Sequence, residues 1–355
     1  MKRVGHLWDA MISFPALFHA SRMARRRKKS RSDVAEFEFQ LESELWRLHE
    51  ELRTRTYRPG EYHSFRIYEP KERLVSAAPY RDRVVHHALV GVLEEIFEPG
   101  FIHHSYACRK GRGSHAAMRT AQRFARRFPY VLKADVRQFF PSIDHQILVQ
   151  LLQRRIADPH VLWLVRQILD GRGIPESDPV WFPGDSLLTP LERPRGLPIG
   201  NQTSQFFANV YLNPLDHFVC HLPAVCGYVR YADDLLVFGR DKESLHVVHQ
   251  QIRRFLQTLR LRLHPGKSQV FPVRCGIPFV GFRVFPSRCL LQRAAVRRFQ
   301  RRMKHVQLQF QRGEVDLQEV RARIVSWCGH AQQGSAAKWR DQLLSRILFT
   351  RGVSR

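Results

Sequence analysis

Asp233 and Asp234 stand side by side in Arg230-Tyr231-Ala232-Asp233-Asp234, ahead of the apolar run Leu235-Leu236-Val237-Phe238. Adjacent carboxylates on a tight turn between β-prone runs raise each other's pKa unless a cation neutralises them. A second acidic position, Asp135, ends the apolar run Tyr130-Val131-Leu132 and is followed by Val136-Arg137-Gln138-Phe139-Phe140. Placed at neighbouring strand ends, Asp135 and Asp233 would form an all-oxygen donor set. Mg²⁺ prefers carboxylates together with substrate phosphates, and two such ions about 3.5–4 Å apart stabilise both the attacking and the leaving oxygen of a phosphoryl transfer. The chemistry these residues propose is nucleotidyl transfer with two Mg²⁺ ions, or Mn²⁺ in their place.

Alone, an Asp-Asp pair in a turn reads as a solvated hairpin tip. The elements that would position it therefore matter. Val34, Phe37, Leu41, Leu45, Leu48 and Leu52 share one face of a helix beginning near Asp33, with Glu36 spaced for a capping box. Gly196-Leu197-Pro198-Ile199-Gly200 leads into a helix through Ser204, Phe207 and Val210. Leu245, Val248, Ile252, Phe255 and Leu259 mark another amphipathic helix. From Leu291 the pattern is helical again, with Val296, Phe299, Met303, Val306 and Phe310 inward and Arg293, Arg297, Arg301, Arg302 and Lys304 outward, and a further helix opens near Asp316. Residues 170–195 are rich in Gly and Pro and read as a long loop or hairpin without an assigned role.

The 355 residues carry 58 Lys and Arg against 32 Asp and Glu, a formal charge of +26. A globular chain this basic needs a polyanion, and nucleic acid is the default because neutralising phosphates releases condensed counterions. No stretch approaches the roughly 20 apolar residues of a membrane span, so no membrane partner and a cytoplasmic location are expected. The six cysteines show no CxxC spacing and read as reduced thiols.

Taken in order, Asp135 with its aromatics, Arg195-Gly196-Leu197-Pro198-Ile199-Gly200-Asn201-Gln202-Thr203-Ser204-Gln205, Tyr231-Ala232-Asp233-Asp234, His264-Pro265-Gly266-Lys267-Ser268 and Phe279-Val280-Gly281-Phe282 resemble the successive palm motifs of reverse transcriptases. The resemblance covers roughly residues 55–335. It implies an α+β right-hand polymerase with basic fingers, an antiparallel-sheet palm and a helical thumb. The corresponding divisions are a basic N-terminal extension (1–32), fingers with the first part of the palm (33–128), the palm with its loop insertion near 170–195 (129–286), and thumb and basic tail (287–355).

The same resemblance implies roles. Asp135, Asp233, Asp234 and Lys267 are the expected catalytic residues. Asp135, Asp233 and the backbone carbonyl of Val136 would hold metal, with Asp234 more an electrostatic support than a full ligand; Lys267 would donate a proton to the departing pyrophosphate. Lys71 and Arg73, in the fingers-like stretch Tyr68–Val85, would meet the incoming triphosphate. Phe140 would lie beneath the sugar and exclude a 2′-hydroxyl, whereas Phe139 is read as core. Ile199, Gly200 and Gln205 belong to the nucleotide-binding loop, and Phe279, Val280, Gly281 and Phe282 to the primer grip. Arg25, Arg26, Arg27, Lys28 and Lys29 would form an RNA-binding arm, and Arg297 and Arg301 a duplex-binding thumb face.

Most reverse transcriptases have Gln where this chain has Ile199 and Pro where it has Gln205. The form Ile-Gly-x-x-x-Ser-Gln resembles the enzymes of diversity-generating retroelements. That narrower resemblance implies error-prone, adenine-mutagenised cDNA synthesis on a structured template RNA, dNTPs and an RNA–DNA duplex as substrates, and an accessory variability protein, an oligomeric helical bundle, as partner. Two other readings stay open: a group II intron-like, CRISPR-associated or phage-defence reverse transcriptase of ordinary fidelity, and a catalytically inactive RNA-binding palm scaffold.

Overall fold

The computed structural model describes residues 3–26, 28, 31–68, 72–170, 179–335 and 337–350. The first part of the chain runs α1 (Trp8–Ile12), α2 (Phe14–Ala24), α3 (Ser32–Phe39), α4 (Leu41–Arg53), β1 (His63–Ile67), β2 (Arg73–Ala77), α5 (Tyr80–Phe97), α6 (Ser114–Arg127) and β3 (Tyr130–Asp135). There follow α7 (Phe139–Ser142), α8 (His145–Gln153), α9 (Pro159–Leu169), α10 (Thr189–Glu192), α11 (Gln202–Cys220), β4 (Gly227–Tyr231), β5 (Asp234–Gly239) and α12 (Lys242–Thr258). The last elements are β6 (Gln269–Pro272), β7 (Ile277–Phe279), β8 (Phe282–Val284), β9 (Cys289–Leu291), α13 (Arg293–Gln311), α14 (Leu317–Ala331) and α15 (Ala337–Leu344). The chain divides into two units, one of Met1–His103, Val136–Val219 and Gln250–His264, the other of His104–Asp135, Cys220–His249 and Pro265–Arg355.

In the first unit, α2 packs on α5 and buries Leu17, Ala20 and Ala24. Asp158 fastens the segment ahead of α1, its Oδ2 accepting from the Leu7 and Trp8 amides at 2.8 and 3.0 Å. The helix expected from Asp33 is two helices. Its apolar face is kept, with Val34, Phe37, Leu45, Leu48 and Leu52 buried, but Gln40 at φ −112°, ψ 30° breaks the ladder between α3 and α4. The expected capping box is absent too: the N-cap residue is Arg31, with no side-chain cap, and Asp33 instead accepts from Arg31 Nε at 3.0 Å. Strands β1 and β2 form an antiparallel pair from His63↔Ala77 to Ile67↔Arg73. Gly171–Asp178, within the loop expected from composition, lie outside the described residues, and residues 179–188 are irregular up to α10.

The second unit is built on a four-stranded antiparallel sheet of order β4-β5-β3-β6. The two apolar runs flanking Asp233 form β4 and β5, and β3 lies against β5 from Tyr130↔Gly239 to Asp135↔Asp234. Val131, Val229, Leu236 and Phe238 meet Ala117, Met118 and Ala121 of α6 in one core. Gly227 is required there, because a Cβ would stand 2.7 Å from the ring of Phe124. Strands β7, β8 and β9 make a second antiparallel sheet. The C-terminal helices bury Phe299, Met303, Val306, Phe310, Val320 and Leu343, and Phe299 stacks on Trp327 with centroids 3.8 Å apart. Burying such side chains contributes roughly 1.5–3 kcal/mol each. Among the described residues no helix is long and apolar enough to cross a membrane.

Candidate active site

Tyr231 and Asp234 pair directly, so Ala232 and Asp233 form a two-residue hairpin turn. Ala232 adopts φ 54°, a left-handed conformation costly for a residue with a Cβ. Beneath it, the fully buried Arg230 donates from Nη1 to the Ala232 carbonyl at 3.2 Å. The turn lifts Asp233 beyond the strand while Asp234 enters β5 opposite Asp135. All three carboxylates are half-buried.

Two lysines answer these charges. Lys133 Nζ reaches both oxygens of Asp234, at 2.6 and 2.7 Å, and Lys267 Nζ lies 3.0 Å from Asp135 Oδ1. Burial pushes Asp234 up to about 6, with Asp135 and Asp233 acting in the same direction and Lys133 opposing them. Sequence reasoning assigned no role to Lys133 or Arg230. The signal for Lys133 lay in alternation: residues 133 and 135 share one face of a strand, and a long side chain reaches the diagonal neighbour across an antiparallel pair.

Among the described residues no three His, Cys, Asp or Glu side chains gather as a formed metal cluster. The donor chemistry nevertheless fits a hard divalent cation at Asp135 and Asp233, since carboxylate oxygens are its preferred ligands. Asp234 is the carboxylate least open to one, because Lys133 takes both of its oxygens. Val136, whose carbonyl was a further expected ligand, is buried and bridges Leu263.

A second cluster lies in the other unit. The Ile199 carbonyl accepts the Ser76 amide at 2.9 Å. Asn201 clamps the same strand end, its Oδ1 accepting from the Ala78 amide and its Nδ2 donating to the Ser76 carbonyl, both at 3.1 Å. Gly200, at φ 123°, lies so close to β2 that a Cβ would be 2.9 Å from Val75 Cγ1. The Leu197 amide donates to the Phe140 carbonyl at 2.8 Å, which ties α7 to the same loop. Phe139 is 2% exposed, while Phe140 is half-buried with its ring centroid 5.5 Å from that of Phe139. The loop therefore brings Phe140, Ile199 and Gly200 to the β2 strand that begins with the exposed Arg73. Gln205 is exposed on α11, and Lys71 lies outside the described residues.

The remaining expected positions are dispersed. Phe279 pairs with Phe282 across a two-residue turn of Val280 and Gly281, at φ 42° and 90°. Arg25 is engaged by Glu38, Arg26 is exposed and Lys28 is half-buried; Arg27 and Lys29 lie outside the described residues. Arg297 and Arg301 are exposed on α13, beside Lys304 and Arg346 on one groove.

Several known proteins are similar in sequence to this chain. Protein YkfC of Escherichia coli (strain K12) is 26% identical over 291 residues, which cover 70% of this chain and 73% of YkfC. Group II intron-encoded protein LtrA of Lactococcus lactis subsp. cremoris is 27% identical over 184 residues, 51% of this chain and 29% of LtrA. Nuclear intron maturase 1, mitochondrial, of Arabidopsis thaliana is 32% identical over 104 residues, 29% of this chain and 14% of the maturase. The chain thus spans most of YkfC but under a third of either intron-associated relative. The sheet of β4, β5, β3 and β6, the carboxylate turn and the loop clamped to β2 all fall within residues 68–284, the stretch matched by the family described as reverse transcriptase (RNA-dependent DNA polymerase), and the chain belongs to that family.

Proposed function

We propose that the protein is an RNA-directed DNA polymerase whose reaction is centred on Asp135 and Asp233. The observation that carries this reading is the Asp135↔Asp234 register, which places three carboxylates and two ammonium groups at one end of the β3–β5 pair. Bound Mg²⁺ would supply Lewis-acid stabilisation of the reacting oxygens. Within the protein, Lys133 holds Asp234 as a neutralised support, Arg230 holds the turn carrying Asp233, and Lys267 keeps a proton at Nζ next to Asp135. Phe140 and Ile199 contact the sugar and base of the incoming nucleotide, Arg73 and Lys71 its triphosphate, and the Phe279–Phe282 hairpin the primer. On this reading residues 33–128 are the fingers with the first part of the palm, 129–286 the palm and 287–355 the thumb of a right-hand polymerase, with Arg297 and Arg301 on a duplex-binding face and residues 25–29 on the template RNA.

The Ile199 and Gln205 pattern supports the narrower reading, an error-prone enzyme of a diversity-generating retroelement working with an accessory variability protein. A second reading, a group II intron-like enzyme of ordinary fidelity, is favoured by the similarity to LtrA. Primer extension on an RNA template tests the shared core. Asp135→Asn and Asp233→Asn should each abolish dNTP incorporation while RNA affinity stays within about twofold, because phosphate contacts come from the basic surface. Sustained incorporation by both variants overturns the assignment.

A further inference from the structure

The β7–β8 turn is held against its own sequence preference. Val280 and Gly281 both take positive φ, 42° and 90°, the backbone of a two-residue hairpin turn that favours Asn-Gly or Asp-Gly. A β-branched residue in that region is strained, and such conformations persist only where the surroundings over-determine them. One such support is Gln292, the N-cap residue of α13. It donates its amide to the Gly281 carbonyl and its Nε2 to the Phe282 carbonyl, both at 3.0 Å.

The other is His330, near the C-terminus of α14. A Cβ on Gly281 would stand 3.4 Å from His330 Nε2, and the His330 ring lies against Phe282 with centroids 4.7 Å apart. His115, in the first turn of α6, fixes that imidazole: its Nε2 shares a hydrogen bond with His330 Nδ1 at 3.1 Å. The bond occupies one ring nitrogen of His330 and leaves the other beside the turn. The segment after α14 is tied down as well. The Ser335 amide donates to the Cys289 carbonyl of β9 at 2.7 Å, and Arg119 Nη1 of α6 to Gln333 Oε1 at 3.0 Å. His115 and His330 therefore form a strut from α6 to the turn.

We propose that His330, oriented by His115, is a positioning residue that holds the Val280–Gly281 turn and, through it, the 3′ end of the primer. Its consequence for the primer rests on the reading of Phe279–Phe282 as the primer hairpin; the hold on the turn does not. Neither imidazole touches the carboxylates at Asp135 and Asp233, so the effect falls on where the primer sits and not on the reacting groups. A turn that leaves its place makes only a fraction of the molecules competent, and apparent affinity for the primer falls by that fraction.

The test uses the full chain, with a DNA primer annealed to an RNA template as the probe. Amide exchange in the peptide spanning 279–282 should quicken in His330→Leu and in His115→Leu, since either removes the shared hydrogen bond. If the turn is competent in about a tenth of the molecules, the KM for primer–template rises about tenfold while the KM for dNTP stays within about twofold. Loss of fold alone would lower kcat by reducing the active fraction and leave both KM values in place. His330→Asn keeps a polar group where Nδ1 stands, and His115→Gln one where Nε2 stands, so each should stay within about twofold of wild type in primer KM. Where a leucine variant fails to fold, His330→Phe keeps the ring against Phe282 without the hydrogen bond and should show the same loss. Unchanged exchange at 279–282 in the variants lacking the bond would overturn the proposal, and so would Asn and Gln variants no better than the Leu ones. Faster exchange with an unchanged primer KM would support the hold on the turn and overturn the reading of Phe279–Phe282 as the primer hairpin.

Discussion

Lys133 and Asp234, 101 residues apart, form a two-pronged ion pair in which one ammonium donates to both carboxylate oxygens at 2.6 and 2.7 Å. Their side chains are 17% and 22% exposed, so solvent screens the pair little. Removing one partner strands the other. Lys133→Met should lower stability by about 3 kcal/mol at pH 8, where Asp234 is ionised. Lys133→Met/Asp234→Asn should recover most of that, because the carboxylate in need of a cation is gone. Denaturant melts of the two single variants and the double variant measure the coupling, and strictly additive losses would show that the pair does not act as a unit.

Ile199 offers bulk but neither donor nor acceptor, while its backbone is pinned to Ser76 and its neighbour Gly200 is wedged against Val75. Ile199→Gln therefore changes the side chain on a loop whose path β2 holds. One added polar contact is worth on the order of 1–3 kcal/mol, or roughly one to two orders of magnitude in discrimination. The variant should make fewer errors opposite template adenine while remaining active. Sequencing cDNA copied from one RNA decides it: equal adenine error rates refute the role of Ile199, and a wild type without adenine bias leaves the intron-like reading.

Phe140 and Phe139 differ in burial although they are adjacent and both aromatic. Phe140→Ala should raise incorporation of ribonucleotides relative to deoxynucleotides by roughly tenfold to a hundredfold, by opening space for the 2′-hydroxyl. Phe139→Ala should instead cost about 3 kcal/mol or more of stability through the cavity it leaves. Single-nucleotide extension with each sugar, set beside a thermal melt, separates the two outcomes. Unaltered sugar selection in Phe140→Ala would mean that the ring packs without gating.

His86 is 1% exposed, and among the described residues neither ring nitrogen has a hydrogen-bond partner. Burial, with His87 and Arg83 nearby, pushes it down to about 3. The folded chain then keeps His86 neutral while the unfolded chain takes up a proton below its ordinary 6.5. Stability from this group is complete above that value and drains away as pH falls toward 3. At pH 5.5 the loss is about 1.4 kcal/mol. His86→Leu should remove that part of the pH dependence. Denaturant midpoints at pH 8 and pH 5.5 check it, and an unchanged difference between the two pH values in the variant would locate the acid sensitivity elsewhere.

The carboxylate turn, the strands around it and helices α11 to α14 were legible in the sequence because they are local. The β-prone apolar runs on both sides of Asp233 and a 3.6-residue rhythm through Val306 or Ile252 depend on neighbours a few positions away. The break at Gln40 escaped that reading, since the apolar face continues across it while the backbone does not. Tertiary structure alone decided which charges meet. Lys133 finds Asp234 through the β3–β5 register, Asn201 finds Ser76 across 125 residues, and Arg193 and Arg260 converge on Asp144 from separate segments. Such pairs leave no periodic trace. Strand register and loop closure set them, and a shift of one residue in either would have turned Lys133 to the opposite face of the sheet.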